Sequence, residues 1–139
     1  MKVYTSLSEL EDSLPSGFHD ATLETVTINY AANNAELALQ LSVGDPDAPT
    51  EEERHAFKGA RLHLTDLVYF VIDPPGPGHQ PPGPGYVWLD AGDATDESNP
   101  QHLKPRSELP ADAFAYWFFV GPDNSFIHIA AKSASLEWL

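Results

Sequence analysis

Among the 6 histidines and 21 acidic residues of this chain, His19, Asp20, His63 and His128 are the candidates for acid–base or metal chemistry. Imidazole and carboxylate groups transfer protons and bind zinc or nickel. If they converged on one ion, these four would form the site of a small metal-dependent hydrolase or lyase. Their spacing matches no specific zinc motif such as His-Glu-x-x-His. Adjacent residues of a strand also point to opposite faces, which favours a structural role for His19 and Asp20.

The sequence lacks the signatures of the common catalytic machineries. It contains no cysteine, which excludes disulfides, thiolate metal sites and a cysteine nucleophile. Gly-x-Ser-x-Gly, Gly-x-x-x-x-Gly-Lys and Gly-x-Gly-x-x-Gly are all absent, so nothing indicates a serine nucleophile or a phosphate-binding loop. We therefore expect a binding domain without catalytic residues or a cofactor, with the metal-dependent enzyme as the alternative.

The charge balance indicates the kind of partner. The 139 residues include 21 Asp+Glu but only 7 Lys+Arg, for a formal net charge of −14. Binding to nucleic acid or to an anionic membrane depends on Lys and Arg that neutralise phosphates, so neither partner is expected. A basic protein is favoured instead, because an acidic surface attracts it over a distance.

The acidic residues that we expect to contact this partner fall in two segments, each predicted to be an exposed loop. The first contributes Asp45, Asp47, Glu51, Glu52 and Glu53, and the second contributes Asp90, Asp93, Asp96 and Glu97.

The N-terminal third predicts a helix followed by a hairpin. Ser6 and Glu9 fit a capping box, and leucines at helical spacing predict a helix over residues 7–14. From residue 21 to residue 43 apolar and polar residues alternate, interrupted by a turn at residues 31–34. Leu23 is out of phase with this alternation, which predicts a bulge near Glu24.

The rest of the chain predicts further strands separated by loops. Strands are expected at residues 58–65 and 67–72 with a kink at Asp66, and then at 86–89, 113–120, 126–131 and 133–139. Residues 90–105 are predicted to be a loop. About seven strands and one short helix predict a single mainly β domain over residues 1–139, either an antiparallel β-sandwich or a strongly curved sheet.

Two segments have unusual composition. The unit Pro-Pro-Gly-Pro-Gly occurs at residues 74–78 and 81–85, and predicts an extended hairpin loop; the alternative is a ligand for a proline-recognising module. The run Tyr116-Trp117-Phe118-Phe119 puts large rings on both faces of one strand. We expect these rings in the core, with an exposed aromatic binding patch as the alternative.

The segment Gly17-Phe18-His19-Asp20-Ala21-Thr22-Leu23, between the helix and the hairpin, resembles that of small bacterial β-rich domains. In these domains a short helix precedes His-Asp-Ala-x-Leu and two alternating strands, and some are similar to immunity proteins of polymorphic toxin systems. The resemblance implies an inhibitor of a basic protein. No apolar run reaches the length of a signal peptide or a membrane span, so a cytoplasmic location is expected.

Overall fold

A computed structural model describes residues 1–77, 87–93, 104, 106–121 and 125–139, with the backbone alone at residues 90–93 and 106. In this part of the chain the helices are α1 (Leu7–Asp12) and α2 (Glu51–Arg54), and a 3₁₀ turn covers Arg106–Glu108. The strands are β1 (Val3–Tyr4), β2 (Ala21–Asn29), β3 (Asn34–Ser42), β4 (Phe57–Ile72), β5 (Trp88–Asp93), β6 (Phe114–Val120) and β7 (Ser125–Trp138). The expected mainly β class is confirmed.

The strands form one sheet that closes on itself. Six of them follow each other in the order β7-β4-β3-β2-β5-β6, and β6 then pairs with β7 to complete an antiparallel barrel. β1 lies outside the barrel on the edge of β7. A closed barrel replaces the expected sandwich and is closer to the strongly curved sheet. Closure is possible because β7 has two neighbours: it pairs with β4 through residues 127–138 on one side, and on the other side with β6 through residues 125–131 and with β1 through residues 134–135.

Local irregularities bend the long strands. The register of β2 against β3 shifts between Leu23 and Thr25, which confirms the bulge expected near Glu24. Asp66 has a positive φ of 54°, and the register of β4 against β7 shifts between Leu67 and Tyr69. The kink at Asp66 is thus present, but it lies within one 16-residue strand rather than between two strands. Residues 126–131 and 133–139 likewise belong to one strand apart from Leu139.

The core lies inside the barrel and is covered by α1. Side chains of β6 alternate between buried and half-buried, as expected for a strand with one face in the core. The helix buries Leu7 and Leu10 completely, and Phe18 packs edge-on against Phe118 with ring centroids 5.2 Å apart. The Ser6 Oγ accepts a hydrogen bond from the Glu9 amide at 3.1 Å, which confirms the predicted cap, although the helix ends at Asp12.

Three predicted loops differ from the structure or fall partly outside it. Residues 90–93 belong to β5, so the prediction of a loop is wrong there; pairing with the apolar strand β6 outweighs their polar composition. Residues 94–103 lie outside the described part. The predicted Pro/Gly loop also lies mostly outside it, and its described part, residues 74–77, contains no helix or strand. The segment at residues 44–53 includes most of α2.

Candidate functional site

The five acids of the first predicted segment lie on one well-organised loop. We call residues 45–53, between β3 and β4, the acidic loop; all five of its carboxylate side chains are exposed. The Asp45 amide donates to the Glu53 carbonyl at 3.1 Å, and the Ala48 amide donates to the Asp45 carbonyl at 3.0 Å. The Asp45 carboxylate also accepts from the Asp47 amide at 2.9 Å. The first of these bonds joins the two ends of the loop, and the other two hold the turn that follows Asp45.

The second half of the acidic loop is held by a helix cap and an arginine. Thr50 caps α2, and its Oγ1 accepts from the Glu53 amide at 3.2 Å. Acidic residues in the first turn of a helix interact favourably with its amide groups. The Arg54 guanidinium donates to the carbonyl of the buried Ala48 at 2.9 Å. A loop braced in this way loses little conformational entropy when a partner binds it.

The second predicted acidic segment does not form a comparable described surface. Asp90 and Asp93 lie on β5, where Asp90 pairs with Phe119 and Asp93 with Tyr116. The prediction that these two acids stand on a loop is therefore wrong. Asp96 and Glu97 lie outside the described residues.

The fold does not bring together the four residues of the alternative metal-site hypothesis. His19 lies 3.4 Å from Asp20 in an exposed connection, where Asp20 has a positive φ of 59°. His63 and His128 contact other carboxylates. Across the described residues, no group of three or more His, Cys, Asp or Glu side chains is arranged to hold a metal ion. The fold thus brings His19 and Asp20 together, but not with the other two histidines.

His63 lies in a small charged network on the outer wall of the barrel. Its Nδ1 is 3.5 Å from Glu36 on β3, and its Nε2 is 3.3 Å from Glu137 on β7. Arg61 reaches the same Glu36 at 3.5 Å. The network links three adjacent strands, but each pair is partly exposed, so each contributes little to stability.

His128 is buried, although the sequence places it on the polar side of its strand. Its Nε2 lies 3.0 Å from Asp73, and its ring stacks on Phe126 with centroids 5.9 Å apart. The side chain does point to the outer face of β7, but aromatic neighbours cover it. Trp117 is the cross-strand partner of His128, and its ring packs edge-on against Phe126 at 5.5 Å.

The aromatic run on β6 divides between the two faces of the strand. Tyr116 and Phe118 are buried inside the barrel, as expected for core residues. Trp117 and Phe119 are half-buried on the outer face. The Trp117 Nε1 is buried and has no hydrogen-bond partner in the part of the chain that the structure describes. The expectation of core rings is therefore confirmed for the inward-facing pair only.

A depression of about 230 Å³ lies where the β2–β3 turn meets the kink of β4, and sequence reasoning did not anticipate it. Asn33 and Leu67 hold the two parts together, because each donates to the carbonyl of the other at 3.1 Å. Tyr69 lines the depression, and burial raises the pKa of its hydroxyl above the ordinary value. The turn and the kink were each visible in the sequence, but their meeting depends on strand register.

Comparison with protein-family models, with curated proteins and with solved structures finds no match to this chain. The resemblance of residues 17–23 to β-rich immunity-type domains therefore stays a prediction. Within the described ranges, no helix is both long and apolar enough to cross a membrane.

Proposed function

We propose that this chain is a non-enzymatic binding domain that recognises a basic protein through the acidic loop. The observation that carries the proposal is the display of five exposed carboxylates on a loop braced by its own backbone, a helix cap and Arg54. Because the loop is already ordered, its negative charges present a complementary electrostatic field to a basic surface, and the loop does not first have to become ordered.

The charge of the whole chain supports the same partner. The formal net charge is −14, so the long-range field attracts cations before any contact forms. Arg54 is the basic residue closest to the acidic loop in sequence. Its guanidinium donates a hydrogen bond to the Ala48 carbonyl and so holds the loop backbone. Attraction of this kind raises the association rate and is weakened by salt.

An inhibitor of the immunity type is the narrower form of this proposal, and it is supported by the sequence resemblance at residues 17–23. The expected cytoplasmic location belongs to the same proposal. The metal-dependent hydrolase or lyase is not carried forward, because His19, His63 and His128 contact different carboxylates.

The proposal is tested by affinity capture from a lysate of the source cell, with the immobilised protein washed at about 50 mM and then about 500 mM NaCl. We expect a basic protein that is retained at low salt and released at high salt, identified by mass spectrometry. The triple variant Glu51→Gln, Glu52→Gln, Glu53→Gln lowers the affinity for that protein on the order of tenfold at low salt.

The matched control removes the same number of charges elsewhere. Asp12→Asn, Asp66→Asn and Glu108→Gln alter exposed acids outside the acidic loop, and asparagine tolerates the positive φ of 54° at position 66. We expect this control to bind nearly as tightly as the unmodified protein. Equal weakening by the two triple variants would show that total charge alone drives binding, and retention unaffected by salt would overturn the electrostatic account.

A further inference from the structure

Two apolar side chains lie exposed beside the acidic loop. Phe57 is 50% exposed and Leu139 is 60% exposed. Phe57 pairs with Ser42 at the end of β3, and the Val43 amide donates to the Ala56 carbonyl at 2.9 Å. Phe57 therefore stands at the base of the acidic loop, where the chain leaves the loop and enters β4.

Leu139 extends this apolar surface along the neighbouring strand. The Leu139 amide donates to the Gly59 carbonyl at 3.0 Å, and a Cβ built on Gly59 would lie 3.6 Å from Leu139 Cδ1. The Leu139 side chain thus occupies the space above Gly59. Phe57 and Gly59 are two residues apart in one strand and share a face, so Phe57 and Leu139 are neighbours there. Trp138 pairs with the buried Ala60 and therefore points to the opposite face of the sheet from Phe57 and Leu139.

The charges around these residues are predominantly negative. The acidic loop supplies five carboxylates on one side. Of the basic residues near it, Arg54 donates to the Ala48 carbonyl, and Arg61, on the same face of β4 as Phe57, lies 3.5 Å from Glu36. Lys58 points to the opposite face, where its Nζ lies 5.2 Å from the centroid of the Trp138 ring. A partner that covers the apolar side chains would therefore meet carboxylates at the border of the contact.

We propose that Phe57, with Leu139, is the apolar anchor of the binding surface. Its occupant is a segment of a basic protein that presents an apolar side chain between lysines or arginines. Protein interfaces place aromatic and apolar residues at the centre and charged residues at the rim, and here the rim carries the sign that attracts lysine and arginine. This inference rests on the proposed function and adds to it the apolar part of the recognition.

Two synthetic peptides with the same number of lysines test the inference. One alternates lysine with leucine and the other alternates lysine with serine; their dissociation constants are measured by calorimetry against the full chain. We expect the leucine peptide to bind about tenfold more tightly, since burying an apolar side chain contributes a comparable factor. Phe57→Thr removes this advantage while the strand persists, because threonine suits a strand.

Ile72→Thr is the matched control, since Ile72 lies on the same strand and is 57% exposed. It should leave the advantage of the leucine peptide intact. If the two peptides bind with equal affinity, the proposal of an apolar anchor is wrong. It is also wrong if Phe57→Thr and Ile72→Thr reduce the advantage of the leucine peptide equally. Neither result contradicts the role of the acidic loop. If the leucine peptide keeps its advantage but the Glu51, Glu52 and Glu53 triple variant binds both peptides as tightly as the unmodified protein, the proposed role of the acidic loop is wrong instead. If neither peptide binds, both proposals fail.

Discussion

At the scale of single residues, the barrel gives identical side chains different chemical surroundings. His19 is exposed beside Asp20, His63 is half-exposed between two carboxylates, and His128 is buried against Asp73 and Phe126. Nothing in their sequence neighbourhoods distinguishes these three environments clearly. Each depends on which strand lies next to the histidine, and this is why the described residues do not form the common metal site of the alternative hypothesis.

The burial of Tyr69 changes the titration of its hydroxyl. Burial raises the pKa of its hydroxyl in the folded chain, whereas an unfolded chain loses that proton near pH 10. Between these two pKa values the folded state binds more protons than the unfolded state, so the free energy of unfolding falls as the pH rises through this range. We expect Tyr69→Phe to lose less stability than the unmodified protein between about pH 9 and pH 11.

Urea unfolding at these two pH values measures the difference. Tyr30→Phe serves as the control, because Tyr30 is 88% exposed and its replacement should leave the alkaline loss of stability unchanged. The same loss in Tyr69→Phe as in the unmodified protein would contradict a role for burial at this position.

At the scale of elements, the acidic loop depends on a close approach between its two ends. Gly44 precedes the loop, and a Cβ added to Gly44 would lie only 2.0 Å from the Arg54 carbonyl oxygen. That oxygen belongs to backbone and cannot rotate away as a side chain can. A glycine at this position therefore lets the end of α2 pack against the start of the loop.

We expect Gly44→Ala to displace the acidic loop, because the added methyl group has no space. The cost in the free energy of unfolding should be about 1–3 kcal/mol, as for other overpacked sites, and binding of the proposed basic partner should weaken. Thermal and urea unfolding measure the first effect, and calorimetry with the lysine–serine peptide measures the second.

Gly59→Ala provides the comparison for stability. A Cβ at position 59 would lie 3.4 Å from the Gln40 side chain, an ordinary contact distance. If Gly44→Ala lowered the free energy of unfolding no more than Gly59→Ala does, the loop would be able to shift without loss of stability. The close approach at Gly44 would then not be important for the shape of the loop.

At the scale of the whole molecule, excess negative charge surrounds a small closed barrel. With 21 acidic and 7 basic residues, the folded state brings like charges closer together than the unfolded state does. Among the described ion pairs, Lys132–Asp112 and Arg61–Glu36 join lysine or arginine to a carboxylate, so many acids lack a cationic neighbour in this part of the chain. Self-repulsion of this kind lowers the stability of a compact state.

We therefore expect added NaCl to stabilise the protein, with a higher melting temperature at about 300 mM than at about 20 mM, because screening weakens the repulsion. Differential scanning calorimetry measures this shift. The Glu51, Glu52 and Glu53 glutamine variant should show a smaller shift than the unmodified protein. A melting temperature that falls with NaCl would indicate that attractive ion pairs outweigh the repulsion.

Much of the local structure could be predicted, because it depends on residues close in sequence. Ser6 caps the first helix, Leu23 and Glu24 mark the bulge, and the alternation of apolar residues predicts the β2–β3 hairpin. The exposed acidic loop was predicted from its composition, although its bracing by Arg54 and Gly44 was not. Those contacts depend on the path of the loop, which composition does not specify.

The sequence by itself determined the mainly β class, the first helix and hairpin, and the acidic character that favours a basic partner. These features follow from hydrophobic periodicity, capping and charge, which act locally or simply add along the chain. Only the tertiary structure decided that the sheet closes into a barrel, that the histidines separate, and that Phe57 lies with Leu139 beside the acidic loop. These features depend on which strands pair and in what register, and pairing joins residues distant in sequence that no local pattern can specify.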